Sequence, residues 1–476
     1  MSSIYTHIGF HTQSLKMDST STTLNRFERM PRAELEAMQL SRIQHQLTRL
    51  YNTSEFYRAH MDSAKIKATD IKSLADFARL PSINKQHFLE DQLEHPPFGA
   101  RLSVTPEDVA LISTTGGTSG QGQEIYGRTH HDATMQGYLH YLPWYLAGLR
   151  PGDVALNCVP TGGMTTGGWG PAEGFRMGGA TAIHAPAALS TDGKIDLMLR
   201  FGKVNFIYSS TNYLHTLTEG FRRRGISPQD AFPMMKSLFI AGEGYPMHWA
   251  QSIAEEWGCA LHEGYGSTQG TGFIASTCEK SAVRKDSQPG RMHLFEWENY
   301  VEVIDPQTQQ PVAEGEEGEV VLTNLSILGS PVLRFATGDR ARYLPASACG
   351  CGRSWNCIEA GSVARFDDMM KIRGNNVWPA TVDAVMFSHH EVAEYLGRVF
   401  VDDKGRTEVE IRYALKPSLI PPESVESFNE ALSTKIKANT NVRMTLKLVA
   451  RDELPTFENK ARRWHDERKS GYANQT

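Results

Sequence analysis

The chain has 476 residues, more than one hydrophobic core usually supports, and its 40% hydrophobic and 22% charged residues exclude a mostly disordered chain and a membrane protein. A formal net charge of -5 is small for this length and gives no support to nucleic-acid or acidic-membrane binding, so a small-molecule ligand is expected. Six cysteines in so long a chain read as thiols of a reducing, cytoplasmic compartment rather than as a disulfide framework.

Residues 1–25 carry scattered His, Lys, Thr and Ser where a secretory signal would need an apolar core, and read as a flexible N-terminal tail. Across residues 31–89 apolar side chains recur three and four apart, as in LEAMQLSRIQHQLTRLYNTSEFYRAHM, which predicts helix packed on a core. From residue 109 to about 344 short apolar runs (VALIS, VALNCV, FIYSS, KSLFIAGE) alternate with Gly-rich loops and amphipathic stretches. That alternation predicts strands separated by helices in α/β layers. Within it, VEVIDPQTQQPVAEGEEGEVVLTNL reads as strand, turn and strand of a small β subdomain. The character changes after Asp367, where TEVEIRYAL and RMTLKLVA read as strands flanking the helix SFNEALSTKIKANT. The expected division is a large domain over 26–366 and a small α+β domain over 367–476.

The strongest local signal is LISTTGGTSGQG, a strand-like run entering a loop of Gly, Ser and Thr. Such a loop can bring backbone N–H groups and hydroxyls to phosphate oxygens, because glycine permits close approach. It is not the P-loop of NTPases, since no Gly-Lys-Ser/Thr ends it and Gln121 stands where a lysine would be sought. A flexible surface turn is the competing reading of the loop alone. Five motifs follow it in order: AGEGYPMHWAQSIAEEWG, EGYGSTQG, RFATGD, ARFDDMMKIRGNNVWP and LPTFENKARR.

With FYRAH and ADFARLPSINKQHF upstream, this series resembles the phenylacetate-CoA ligase branch of the adenylate-forming enzymes over nearly the whole chain. The resemblance implies an α/β fold: a large N-terminal adenylate-forming domain of mixed α/β layers with a small β subdomain, plus a small mobile α+β C-terminal domain. It places Thr115, Gly116, Gly117, Thr118, Ser119 and Gly120 in the phosphate loop. Gly242, Glu243 and Gly244 fall on the adenine side, and Tyr265 stacks on the base within the run Gly266, Ser267, Thr268 and Gln269. Thr268 would hold the α-phosphate or its magnesium, while Gln269 stands where the family usually has a glutamate ligand. Asp339 would accept from both ribose hydroxyls, with Arg365 on the ribose or phosphate side. Asp367 resembles the hinge, Gly374 lies where the pantetheine arm passes, and Lys460 supplies the cation that drives adenylation.

Two further sets are singled out. Cys349 and Cys351, with Cys278 and His293 upstream, resemble a structural zinc site of the branch, with Cys357 a rival fourth ligand and reduced thiols the alternative. Trp144, Met164, Trp169 and Phe175 are candidate lining residues of the acyl pocket, each also readable as core. The implied activity is that of an ATP-dependent aryl-CoA ligase, which forms an acyl-adenylate with release of pyrophosphate and then an acyl-CoA thioester with release of AMP. Its partners would be a small carboxylic acid, ATP, Mg2+ and coenzyme A, with room for Zn2+ and for a homodimer. The alternatives are transfer to a carrier-protein thiol or an amine, and a non-catalytic nucleotide-binding regulator.

Overall fold

The computed structural model describes residues 27–115, 122–162, 164–185, 188–366, 370–373, 375–389, 391–402, 405–416, 424–455, 457 and 463–470. No helix among them is long and apolar enough to cross a membrane.

The N-terminal helical signal resolves into three main helices, α1 (Arg32–Thr53), α2 (Glu55–Ser63) and α3 (Lys85–Glu94). α1 buries Leu35, Gln39, Ile43, Gln46, Leu47 and Leu50, a stripe at the spacing of one helix face. Ser54 ends it in extended backbone and caps α2 by accepting from the Tyr57 N–H at 3.3 Å. A short antiparallel pair follows, β1 (Leu111–Thr114) and β2 (Ile125–Arg128), bracketing the Gly-rich loop. Next come α4 (His130–Leu146), β3 (Val154–Asn157), α5 (Thr166–Met177), β4 (Thr181–His184) and α6 (Thr191–Phe201). The layer continues with β5 (Phe206–Ser210), α7 (Thr211–Arg223), β6 (Ser237–Ala241), α8 (Met247–Trp257) and β7 (Ala260–Ser267).

Strands β4, β3, β5, β6 and β7 pair in that order, all parallel. Their side chains alternate between two buried faces, as a sheet covered on both sides requires. Ile207, Leu238, Ile240 and Leu261 pack with Ile195, Leu214, Leu217, Phe221, Ile253 and Trp257 of α6, α7 and α8. On the opposite face Phe206, Tyr208 and Phe239 pack with Leu139, Leu142, Trp144 and Phe175 of α4 and α5.

Beyond β7 the same sheet turns antiparallel through β8 (Gly272–Thr277), β9 (Arg291–Leu294), β10 (Asn299–Ile304), β11 (Glu317–Asn324), β12 (Phe335–Leu344) and β13 (Cys357–Glu359). The spatial order is β7, β8, β9, β13, β12, β11, β10, with β14 (Ala364–Arg365) beside β12, so twelve strands form one sheet. The acidic hairpin expected as a small β subdomain is β10 and β11, and it extends this sheet rather than standing apart.

The smaller domain has its own core. A hairpin of β15 (Met370–Ile372) and β16 (Asn375–Val377) leads to α9 (Pro379–Met386). A four-stranded sheet then orders β19 (Thr445–Leu448), β18 (Thr407–Leu415), β17 (Val392–Val401) and β20 (Trp464–Asp466), backed by α10 (Val425–Thr440). Tyr395, Val399, Val409, Ile411 and Tyr413 pack there against Val382, Met386, Leu432 and Ile436. The two domains meet where His248 of α8 touches the Phe387 carbonyl, Lys416 approaches Glu219 at 3.9 Å, and the Arg340 guanidinium lies 4.2 Å from the Trp378 ring centroid.

Candidate functional site

Ligands of open parallel sheets bind beyond the carboxyl ends of the strands, where the connecting loops collect. Here β5 and β6 end level at Ser210 and Ala241, opposite Gly264 of β7, which runs on to Ser267. Directly after β6, Gly242 has φ +89, a left-handed conformation that suits glycine, and it lies exposed beside the equally exposed Gly244. Glu243 pins this loop to α7, its carboxylate accepting from the Asn212 N–H and side-chain amide, both at 3.0 Å. Tyr245 is buried and donates its hydroxyl to Glu263 Oε2 at 2.7 Å. The Gly361 N–H donates to the same oxygen at 2.8 Å, and burial pushes the Glu263 carboxyl up to about 7.

From β7, β12 and β14 the fold brings together Tyr265, Asp339 and Arg365, three residues singled out from the sequence. The Tyr265 hydroxyl donates to Asp339 Oδ2 at 2.8 Å. Arg365 Nη1 donates to Asp339 Oδ1 at 3.0 Å and to the Thr337 carbonyl at 2.9 Å, because β14 registers Arg365 opposite Asp339 of β12. Burial, then the Asp339 charge, hold the Tyr265 hydroxyl well above its ordinary value, so it remains a donor. The family resemblance assigns Tyr265 a stacking role and does not foresee this bond. A carboxylate offers about four lone-pair directions, so these two donors leave Asp339 acceptor capacity for a ligand's hydroxyls.

The side expected to meet phosphates is built from the exits of β1 and β7. Thr115 N–H donates to the Glu124 carbonyl and its Oγ accepts from the Glu124 N–H, both at 3.1 Å, closing the neck of the Gly-rich loop. Gly116, Gly117, Thr118, Ser119 and Gly120 of that loop lie outside the described residues, as do Asp367, Gly374 and Lys460. Thr268 faces the neck, donating from Oγ1 to the Thr114 carbonyl at 3.3 Å. Arg128 is fully buried and donates to the Thr268 carbonyl at 2.6 Å and to the Ser330 carbonyl at 3.0 Å. Gly266 is fixed by close approach, since a Cβ there would stand 2.6 Å from the Gly272 carbonyl oxygen. Sequence reasoning missed Glu124 and Lys85. Glu124 is 1% exposed, accepts on Oε1 from Tyr126 and Gln269, and has Lys85 Nζ 4.0 Å from Oε2.

The proposed pocket residues separate. Trp144 and Phe175 are fully buried and stacked, with centroids 3.9 Å apart and planes at 7°, which makes them core between α4 and α5. Met164 is 59% exposed and Trp169 half-buried at the other end of that segment. Tyr208, Phe239 and Phe273 belong to the same buried core, with ring centroids 5.5 to 6.3 Å apart.

The thiol cluster is away from this cleft. One ligand atom from each of Cys278, His293, Cys349 and Cys351 falls within 4.8 Å of the others. Cys351 Sγ is 3.3 Å from His293 Nε2, and Cys278 Sγ is 3.6 Å from Cys349 Sγ. Cys357 lies on the opposite edge of the ring, 3.3 Å from His293 Nδ1, where the Trp355 carbonyl also sits at 3.2 Å. Three sulfurs and one imidazole nitrogen suit tetrahedral zinc, and a carbonyl on the other ring nitrogen is the usual orienting partner.

The model of the AMP-binding enzyme family matches residues 21–328, and that of the AMP-binding enzyme C-terminal domain matches residues 374–468. A phenylacetate-coenzyme A ligase of Thermus thermophilus is 30% identical over 460 residues, covering 93% of this chain and 98% of that protein. Among solved structures, 2-hydroxyisobutyryl-CoA ligase in its postadenylation state superposes with a TM-score of 0.84 at 24% identity, over 96% of both chains. The same ligase with 2-HIB-AMP and CoA in the thioesterification state gives 0.67 at 25% identity, over 96% of this chain and 97% of that one.

Proposed function

The chain belongs to the AMP-binding enzyme family, among the relatives of the phenylacetate-CoA ligases, and is an AMP-forming acid–thiol ligase; from that premise we propose that its acid is aromatic and its acceptor free coenzyme A. The observation that carries the reading is the chain-long likeness to a phenylacetate-coenzyme A ligase.

In this reading the acid's carboxylate attacks the α-phosphorus of ATP and the bond to pyrophosphate breaks. The coenzyme A thiolate then attacks the acyl carbon and AMP leaves. Thr268 and the Thr115 to Gly120 loop hold phosphates, the Gly242 to Gly244 loop and Tyr265 flank the base, and Asp339 accepts from the ribose. Lys460 meets the negative charge that grows on the phosphoryl oxygens and departing pyrophosphate. Mg2+, when bound with ATP, neutralises phosphate charge. Residues 367–476 act as the mobile domain about Asp367, with Gly374 beside the pantetheine arm. Cys278, His293, Cys349 and Cys351 hold a structural zinc, and Cys357 stays outside the ligand set.

The test is pyrophosphate release across benzoate-like, phenylacetate-like, anthranilate-like, indoleacetate-like and short 2-hydroxy acids, with and without coenzyme A, and with the thioester identified by mass. An aryl acid is expected to give the highest kcat/KM and a coenzyme A thioester. Preference for a short hydroxy acid, or adenylation without thioester, would refute the proposal.

A further inference from the structure

Glu124 is a buried carboxylate in the wall of the phosphate site. Its backbone closes the neck of the Gly-rich loop through the two 3.1 Å bonds with Thr115. Its side chain turns toward the exit of β7, where Oε1 accepts from the Tyr126 hydroxyl at 2.9 Å and from Gln269 Nε2 at 3.0 Å. Oε2 has no hydrogen-bond donor among the described residues, and Lys85 Nζ stands 4.0 Å away, beyond hydrogen-bond length. α3 holds this arrangement, since Gln92 Oε1 accepts from the Ile125 N–H at 2.8 Å and Gln92 Nε2 donates to the Gln123 carbonyl at 3.1 Å.

A neutral glutamine would satisfy the bonds from Tyr126 and Gln269 as well as this carboxylate does. Burying a charge costs more than burying an amide, and a negative charge beside a polyphosphate repels it unless a cation lies between them. The charge therefore needs a use. Among the described residues its side chain meets the Tyr126 hydroxyl, the Gln269 amide and the Lys85 ammonium, and the Thr115 hydroxyl sits on its N–H. Carboxylate, hydroxyl and amide oxygens suit magnesium, which usually takes one or two carboxylates besides the substrate's phosphates.

We propose that Glu124 supplies the protein's negative charge to the divalent cation that enters with ATP, with Gln269 orienting the carboxylate and Lys85 facing its second oxygen. The charge sits at the loop's neck, and the neutral side chain at Gln269 holds it in place. This rests on the nucleotide site described above.

Its signature is an effect that changes sign with the metal. Calorimetric titration of ATP into the full chain, in EDTA and in saturating Mg2+, gives the affinity ratio that Mg2+ produces. In E124Q, metal-free ATP should bind more tightly than in the parent and MgATP more weakly, so the ratio falls roughly tenfold or more. The double variant E124Q/Q269E moves the charge across the 3.0 Å bond and should restore most of the ratio. If E124Q does not yield folded protein, E124D read by the same ratio replaces it, with the ratio again falling. An unchanged ratio, or equal loss of both affinities as a packing defect would give, overturns the proposal while leaving the nucleotide site standing. No ATP binding by the parent in either condition would overturn both.

Discussion

Glu263 should make the stability of the large domain fall as the pH rises through neutrality. Its carboxyl is fully buried, and burial pushes it up to about 7 from an ordinary value of 4.5. Between those values the folded chain keeps a proton that the unfolded chain has lost. The stabilisation is therefore complete below the unfolded value and disappears as pH climbs through the folded one. At about 1.4 kcal/mol per unit, the loss totals about 3 kcal/mol. Glu263→Gln keeps an oxygen for the Tyr245 hydroxyl and the Gly361 N–H but cannot titrate. The stability of the variant minus that of the parent should rise by about 3 kcal/mol between about pH 4.5 and about pH 8. Urea unfolding of both proteins at each pH measures this difference. Every other titrating group cancels from it, including Glu298, which burial also pushes up to about 7. A pH-independent difference, or one that falls with pH, would refute the assignment of a proton to this site.

Lys460→Ala should slow adenylate formation by roughly a hundredfold or more while sparing thioester formation from added acyl-adenylate, and equal losses in both half-reactions would contradict its role. Asp339→Asn should weaken ATP binding by roughly ten- to a hundredfold, because a charged acceptor contributes about 1.5–3 kcal/mol per bond, as measured by calorimetry. Zinc analysis of protein prepared without chelator should find about one ion per chain, with Cys351→Ser lowering both zinc content and melting temperature and Cys357→Ser keeping the metal. A metal content near zero in the parent would refute the zinc assignment.

The alternation of short apolar runs with Gly-rich loops made the parallel layer legible, because strands buried on both faces must be apolar almost throughout. FIYSS became β5 and KSLFIAGE contains β6, ending level at Ser210 and Ala241. The hairpin VEVIDPQTQQPVAEGEEGEVVLTNL was also legible, but its membership of the twelve-stranded sheet was not, since β13 and β9 join the halves through pairings distant in sequence. Tyr265, Asp339 and Arg365 could be named from motifs, whereas the hydrogen bonds joining them depend on β14 pairing with β12. Trp144 and Phe175 show the limit of composition, because an aromatic residue on a buried helix face reads alike as pocket lining or core. Glu124 carried no signal at all, as its partners Lys85, Tyr126 and Gln269 converge only through tertiary packing.

The segment 361–365 links two of these features. Its first residue donates to Glu263 on β7 and its last is bound to Asp339 and Thr337 on β12, so both ends hang from the strands that carry Tyr265 and Asp339. Tyr265 and Arg365 hold Asp339 from two sides, so its carboxylate need not be ordered on binding. Ribose hydroxyls would add to these bonds rather than displace them, because two donors leave lone pairs on both oxygens. On the proposed reading, Arg365 would act on the nucleotide through the orientation of Asp339. The same carboxylate fixes where the large domain's last strand stands as the chain passes toward the smaller one.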